Sequence, residues 1–120
     1  MVILAAITAF SQRGPLHSEL IDMLRRTGEG DRGAFSRLYD TTSSRLFAVI
    51  RRILPRNELA EDALQETYLR IWQRAATYDA RVASPMAWLA TIARNQAIDS
   101  RRRFAGGSAA TTGGGADAVF

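Results

Sequence analysis

Trp88, Thr91, Asn95, Asp99 and Arg102 follow one another at intervals of three and four residues. On an α-helix they form one stripe that carries an indole, a hydroxyl, an amide and a guanidinium, with Asn95 about 20° from Trp88 around the axis. An amide can read a base edge through paired hydrogen bonds, an indole can stack on an unpaired base or wedge against it, and arginines can hold phosphates. Together these groups suit single-stranded nucleic acid. Each also has a plainer use: Trp88 as core, Asn95 as an ordinary exposed helix residue, and Arg101, Arg102 and Arg103 as cations at a helix C-terminus.

A second constellation lies upstream, in NELAEDALQETYLRIWQ from Asn57 to Gln73. At about 100° per residue, Ala60, Leu64, Thr67, Ile71 and Ala75 stack on one side of a helix, and Asp62, Gln65, Glu66, Leu69 and Gln73 stack opposite. The first set is a core face. The second is polar around a single leucine and has no packing duty, so either water or a partner must meet it. Asp62 and Glu66 also form a carboxylate pair at i and i+4, but no nucleophile, histidine base or metal partner lies in the same stretch, and His17 stands alone near the N-terminus. The chain has no cysteine and one histidine, which argues against disulfides, thiol chemistry and a protein-built metal site. The run Gly113 to Gly115 follows no strand and opens no helix, so it does not cradle a phosphate. The expectation is a protein that is not an enzyme and needs no cofactor.

Helices must position both stripes, and the pattern predicts an all-α domain of three main helices plus a short N-terminal one. Ser18 is the expected cap of the short helix, whose apolar face is Leu20, Ile21 and Leu24 and which Gly28 and Gly30 end. Asp31 caps the next, where Phe35, Leu38, Tyr39, Leu46, Val49, Ile50 and Ile53 keep helical spacing until Pro55 stops the run. Asn57 is the expected cap of the third, with Glu58, Glu61 and Asp62 near its positive end. TYDARVAS, Thr77 to Ser84, breaks the pattern, and Ser84 followed by Pro85 starts a fourth helix that carries Leu89, Ile92, Ala93 and Ala97 to about Arg103. These elements form one domain over residues 16–104, preceded by an extension of uncertain role at 1–15 and followed by a flexible Gly/Ala-rich linker at 105–120.

Charge follows the same division. All sixteen basic residues are arginine; Asn57 to Glu66 holds four acids and no base, whereas Arg81 to Arg103 holds five arginines and one acid, Asp99. A basic helix end suits a phosphate backbone as well as the helix dipole. The apolar opening MVILAAITAF is too short to span a bilayer. A cytoplasmic protein without a membrane partner is expected.

Three blocks, GDRGAFSRLYD, AEDALQETYLRIWQRA and SPMAWLATIARNQAIDSRRR, occur in this order, and over Leu16 to Arg103 the chain resembles region 2 of a bacterial sigma factor of the extracytoplasmic-function group. The resemblance implies that Asp62, Gln65, Glu66 and Leu69, with Trp72 at the edge, grip the clamp coiled coil of the RNA polymerase β′ subunit. It implies that the fourth helix and the loop before it open the promoter −10 element, and that a flipped non-template base enters a pocket containing Asn95. The variable loop Tyr78 to Ser84 would set which base is accepted. The DNA-contacting set implied is then Tyr78, Asp79, Arg81, Trp88, Thr91, Arg94, Asn95, Arg101, Arg102 and Arg103. An anti-sigma factor is a further implied partner, and a second helical domain that reads the −35 element is expected after the linker. Two other readings stay open: an interaction module bound by such a regulator with no autonomous DNA role, and an independent reader of double-stranded DNA, for which the Pro55–Asn57 break is badly placed.

Overall fold

The computed structural model describes residues 15–112. Among them are helices α1 (Pro15–Gly28), α2 (Arg32–Ile53), α3 (Asn57–Arg74) and α4 (Pro85–Thr112), a 3-10 turn at Ala75–Thr77 that closes α3, and no strand. The all-α expectation holds. The readings made for the apolar opening and for the end of the linker fall on residues 1–14 and 113–120, outside the described residues.

Local signals explain most helix ends. Gly30 takes a φ of 92°, which costs glycine nothing, and turns the chain from α1 into α2. The Asp31 carboxylate then accepts the Ala34 N–H at 3.0 Å and caps α2. At the other end Leu54 is extended, and Pro55 cannot donate the next bond. The Ser84 hydroxyl oxygen accepts the Ala87 N–H at 3.3 Å, and Pro85 opens α4.

Three boundaries differ from expectation. α1 begins at Pro15, so Ser18 is an exposed residue inside it; proline at a first helical position decided this start as it does that of α4. Arg56, not Asn57, holds the cap position of α3, and no side chain caps it. Asn57 is instead the first helical residue, and its amide oxygen accepts from the Arg51 guanidinium, a charged donor that outcompetes the backbone. α4 runs past Arg103 to Thr112. A nucleated helix propagates readily, and Ala105, Ala109 and Ala110 work against the cost of about 1 kcal/mol for each of Gly106 and Gly107.

α4 packs against both α2 and α3, while α1 lies across α2 and the 3-10 turn. The core takes Leu20 and Leu24 from α1, Leu38, Leu46 and Ile50 from α2, Ala60, Leu64 and Ile71 from α3, and Leu89, Ala93 and Ala97 from α4. Each buried leucine or isoleucine contributes about 1.5–3 kcal/mol. Aromatic rings hold α2 against α3: Phe35 stands edge-on to Trp72 at 5.1 Å and to Tyr68 at 6.2 Å, and Tyr39 lies 4.6 Å from Tyr68. Tyr39, placed with the core by its spacing, is 40% exposed, because Tyr68 of α3 already fills the space beneath it.

Candidate functional site

The two faces of α3 separate as its spacing requires. Ala60, Leu64, Thr67, Ile71 and Ala75 are buried, as are Ala63 and Tyr68 beside them. Asp62, Gln65, Glu66 and Gln73 are exposed, and Leu69 keeps 53% of its surface accessible among them. Trp72 differs in kind: it is half-buried against Phe35 and offers a partner only its free edge.

This outward stripe is a ridge between two clefts. On the α2 side, Tyr39, Ser43, Phe47, Leu64 and Gln65 line a space of about 420 Å³. On the α4 side, Leu59, Asp62, Ser100, Arg103 and Phe104 line about 290 Å³, and the Arg56 guanidinium lies 5.3 Å from the Phe104 ring. Tyr39, Phe47 and Phe104 were missed as parts of this surface. Periodicity within α2 or α4 alone shows only that such residues border the core; the clefts exist because α3 packs against both of those helices.

The loop after the 3-10 turn is held from within. The Tyr78 hydroxyl donates to the Ala83 carbonyl at 2.8 Å, and its ring stands edge-on to Trp88 at 5.3 Å. Burial, and then the nearby Asp79 charge, push the Tyr78 phenol up, so it stays a neutral donor. Asp79 accepts the Arg81 backbone N–H at 2.9 Å and its side-chain Nε–H at 3.1 Å, with a further contact to the guanidinium at 3.0 Å. Hydrogen bonds from Arg81 hold the Asp79 carboxyl below its ordinary value. Three of the loop's expected DNA residues are therefore tied to their own loop: Tyr78 is its pillar, and Asp79 half-neutralises Arg81. The loop also presents Val82, 82% exposed, a residue sequence reasoning did not single out.

Along α4 the predicted stripe survives with graded exposure. Trp88 is half-buried, packed against the core on one side and Tyr78 on another. Thr91 is exposed, its hydroxyl donating to the Ala87 carbonyl at 2.9 Å. Arg94 and Asn95 are exposed, whereas the neighbouring Gln96 is 4% exposed. Asn95 thus projects its amide about 10 Å along the helix from a fixed indole. Arg101, Arg102 and Arg103 are all exposed, but Arg103 shares the cleft with Asp62 and faces the acidic start of α3. The structure brings the loop, Trp88 and Asn95 to one side of α4, and the ridge of α3 to another.

Among the described residues no group of three His, Asp or Glu side chains converges on a point that could hold a metal ion, and no helix is long and apolar enough to cross a membrane. The Asp62–Glu66 pair is solvent-exposed.

The family model of sigma-70 region 2 matches residues 38–105. The ECF RNA polymerase sigma factor SigK of a Mycobacterium species is 40% identical over 85 residues, which cover 71% of this chain and 44% of that protein. SigK of Mycobacterium ulcerans is 39% identical over 90 residues, 75% of this chain and 48% of the relative. SigK of Mycobacterium tuberculosis is 38% identical over 87 residues, 72% and 46% respectively. The chain spans about half the length of the curated relatives it matches.

Proposed function

Because this chain belongs to the sigma-70 region 2 family, in its extracytoplasmic-function group, we propose that it is the polymerase-binding and −10-melting module of a transcription initiation factor. The observation that carries the polymerase half is Leu69: a leucine 53% exposed among Asp62, Gln65 and Glu66, on a ridge with a cleft of mixed polar and apolar lining on each side. Acids and an amide suit cations on a β′ clamp coiled coil, and Leu69 with the edge of Trp72 supplies apolar anchors.

On the DNA side, an exposed amide at Asn95 stands on one helix with a half-buried indole at Trp88, next to a loop fastened to that indole. Such a surface holds an extruded non-template base while Arg94, Arg101 and Arg102 meet phosphates. Capturing the base offsets unpairing and unstacking, which cost a few kcal/mol per base, so binding energy alone melts the duplex. No hydrolysis is required.

The test of the ridge is a pull-down with the isolated clamp coiled coil. Gln65→Ala with Leu69→Ala weakens capture without unfolding the domain; undiminished capture would overturn the assignment. For the base pocket, Asn95→Ala lowers discrimination at one position of single-stranded −10 DNA by about 1–3 kcal/mol if both hydrogen bonds form. Absence of any selective binding to single-stranded promoter DNA by the unsubstituted chain would favour a module that only binds an anti-sigma-type regulator through the same acidic face.

A further inference from the structure

We infer that Gly28, at the end of α1, is a positioning residue for base selection: it lets α1 touch the backbone of the 3-10 turn and so sets where the Tyr78–Ser84 loop stands. The inference rests on the proposed reading of that loop as the selector of the captured base. A Cβ added at Gly28 would lie 2.8 Å from the Ala76 Cα, 2.9 Å from the Ala76 nitrogen and 3.1 Å from the Ala75 carbonyl carbon. All three are backbone atoms, so no side chain can swing aside to make room. Only glycine permits this approach.

Which side would yield is decided by how each is held. The end of α1 is pinned twice. Its last carbonyls accept from Glu29 (3.0 Å, on Arg26), Gly30 (2.9 Å, on Thr27) and Asp31 (3.0 Å, on Arg26). Leu20, Leu24 and Thr27 beneath it are at most 2% exposed, and the Thr27 hydroxyl donates to the Met23 carbonyl at 2.7 Å. The other side is a three-residue turn leading into a loop whose Ala80, Arg81 and Val82 are exposed. Beyond the contact, Ile21 and Arg25 of α1 face Tyr78, Asp79 and Ala80 across a cleft of about 370 Å³, and among the described residues no other side chain lies between α1 and the loop there. Strain introduced at Gly28 therefore passes into the turn. From there it reaches Tyr78, whose ring and hydroxyl fix the loop to Trp88 and Ala83. The path from Gly28 through Ala76 and Tyr78 joins Gly28 to the Trp88 indole without Gly28 touching DNA.

The experiment uses the 120-residue chain bound to core polymerase, with a labelled single-stranded DNA library randomised over six positions as the probe. Bound sequences are compared for the unsubstituted chain, Gly28→Ala and Ala76→Gly, which loosens the turn without a clash. Clamp capture and melting temperature are measured alongside. The expected result is that Gly28→Ala still binds the clamp but loses about fivefold or more of its discrimination at one position, the low end of a single base contact, while preferences elsewhere persist. Ala76→Gly shifts the same position and carries the test if Gly28→Ala does not fold. Equal loss at every position, or selection unmoved by either substitution, overturns the brace while leaving the function intact. An unsubstituted chain that selects no sequence overturns the function and the brace together.

Discussion

The Tyr68 hydroxyl donates to the Thr42 Oγ1 at 2.6 Å inside the core, bridging α3 and α2. The direction follows from Thr42's single proton, which goes to the Leu38 carbonyl at 2.7 Å. This makes the two ends of the bond unequal. Tyr68→Phe leaves Thr42 satisfied by Leu38 and costs about 1 kcal/mol, whereas Thr42→Val strands a buried phenol and costs about 1–3 kcal/mol. Urea unfolding of the two variants ranks them; equal losses, or the reverse order, would show that the hydroxyls are oriented the other way.

The same burial makes stability depend on alkaline pH. Burial, and after it the neighbouring Tyr39, push the Tyr68 phenol up from 10.0 to about 12. Between these values the unfolded chain has lost the proton and the folded one keeps it, so stability falls as pH rises. It is fully present below pH 10 and lost on passing about 12. Melting temperatures measured across that window should fall less steeply in Tyr68→Phe, which has no proton to lose there.

In the loop, Asp79→Asn removes the negative charge that half-neutralises Arg81, a side chain 90% exposed. A freed guanidinium adds about one phosphate contact, steepening the salt dependence of single-stranded DNA binding by about 0.7 in the slope of log K against log salt. Titrations at several salt concentrations measure this slope. No change would mean that Arg81 already reaches phosphate despite Asp79, or never does.

The arginines at the end of α4 should not be equivalent. Arg101→Gln and Arg102→Gln each flatten the same slope by about 0.7, if each holds one phosphate. Arg103→Gln flattens it less, because Arg103 shares its cleft with Asp62. The three single variants, titrated in parallel, separate a graded surface from a uniform one.

Much of this molecule was legible in its residues. Asp31 as a cap, Pro55 as a stop, the Ser84–Pro85 start and the two opposed faces of α3 all follow from local rules, which act within one or two helical turns. Ser18 and Asn57 misled because capping residues are also tolerated within a helix's first turns, and the path of the incoming chain decides which residue is first. Asn95 was legible as a member of the Trp88 stripe, and its exposure agrees with that. The self-pairing of Asp79 with Arg81 was not, since helical periodicity says nothing about a loop that folds back on itself.

Order along the chain by itself determined that the described residues are helical, most of those that face inward, where acid and base concentrate, and to which family it belongs. Those properties depend on spacing, and spacing is written in the sequence. Only the tertiary structure decided that Tyr68 bonds Thr42, that Arg103 shares a cleft with Asp62, and that Gly28 meets the backbone at Ala76. Each of these joins residues far apart in the chain, and its distance is set by how closely two helices, or a helix and a turn, can approach. That approach is settled by all the core side chains packing at once, which no local pattern records.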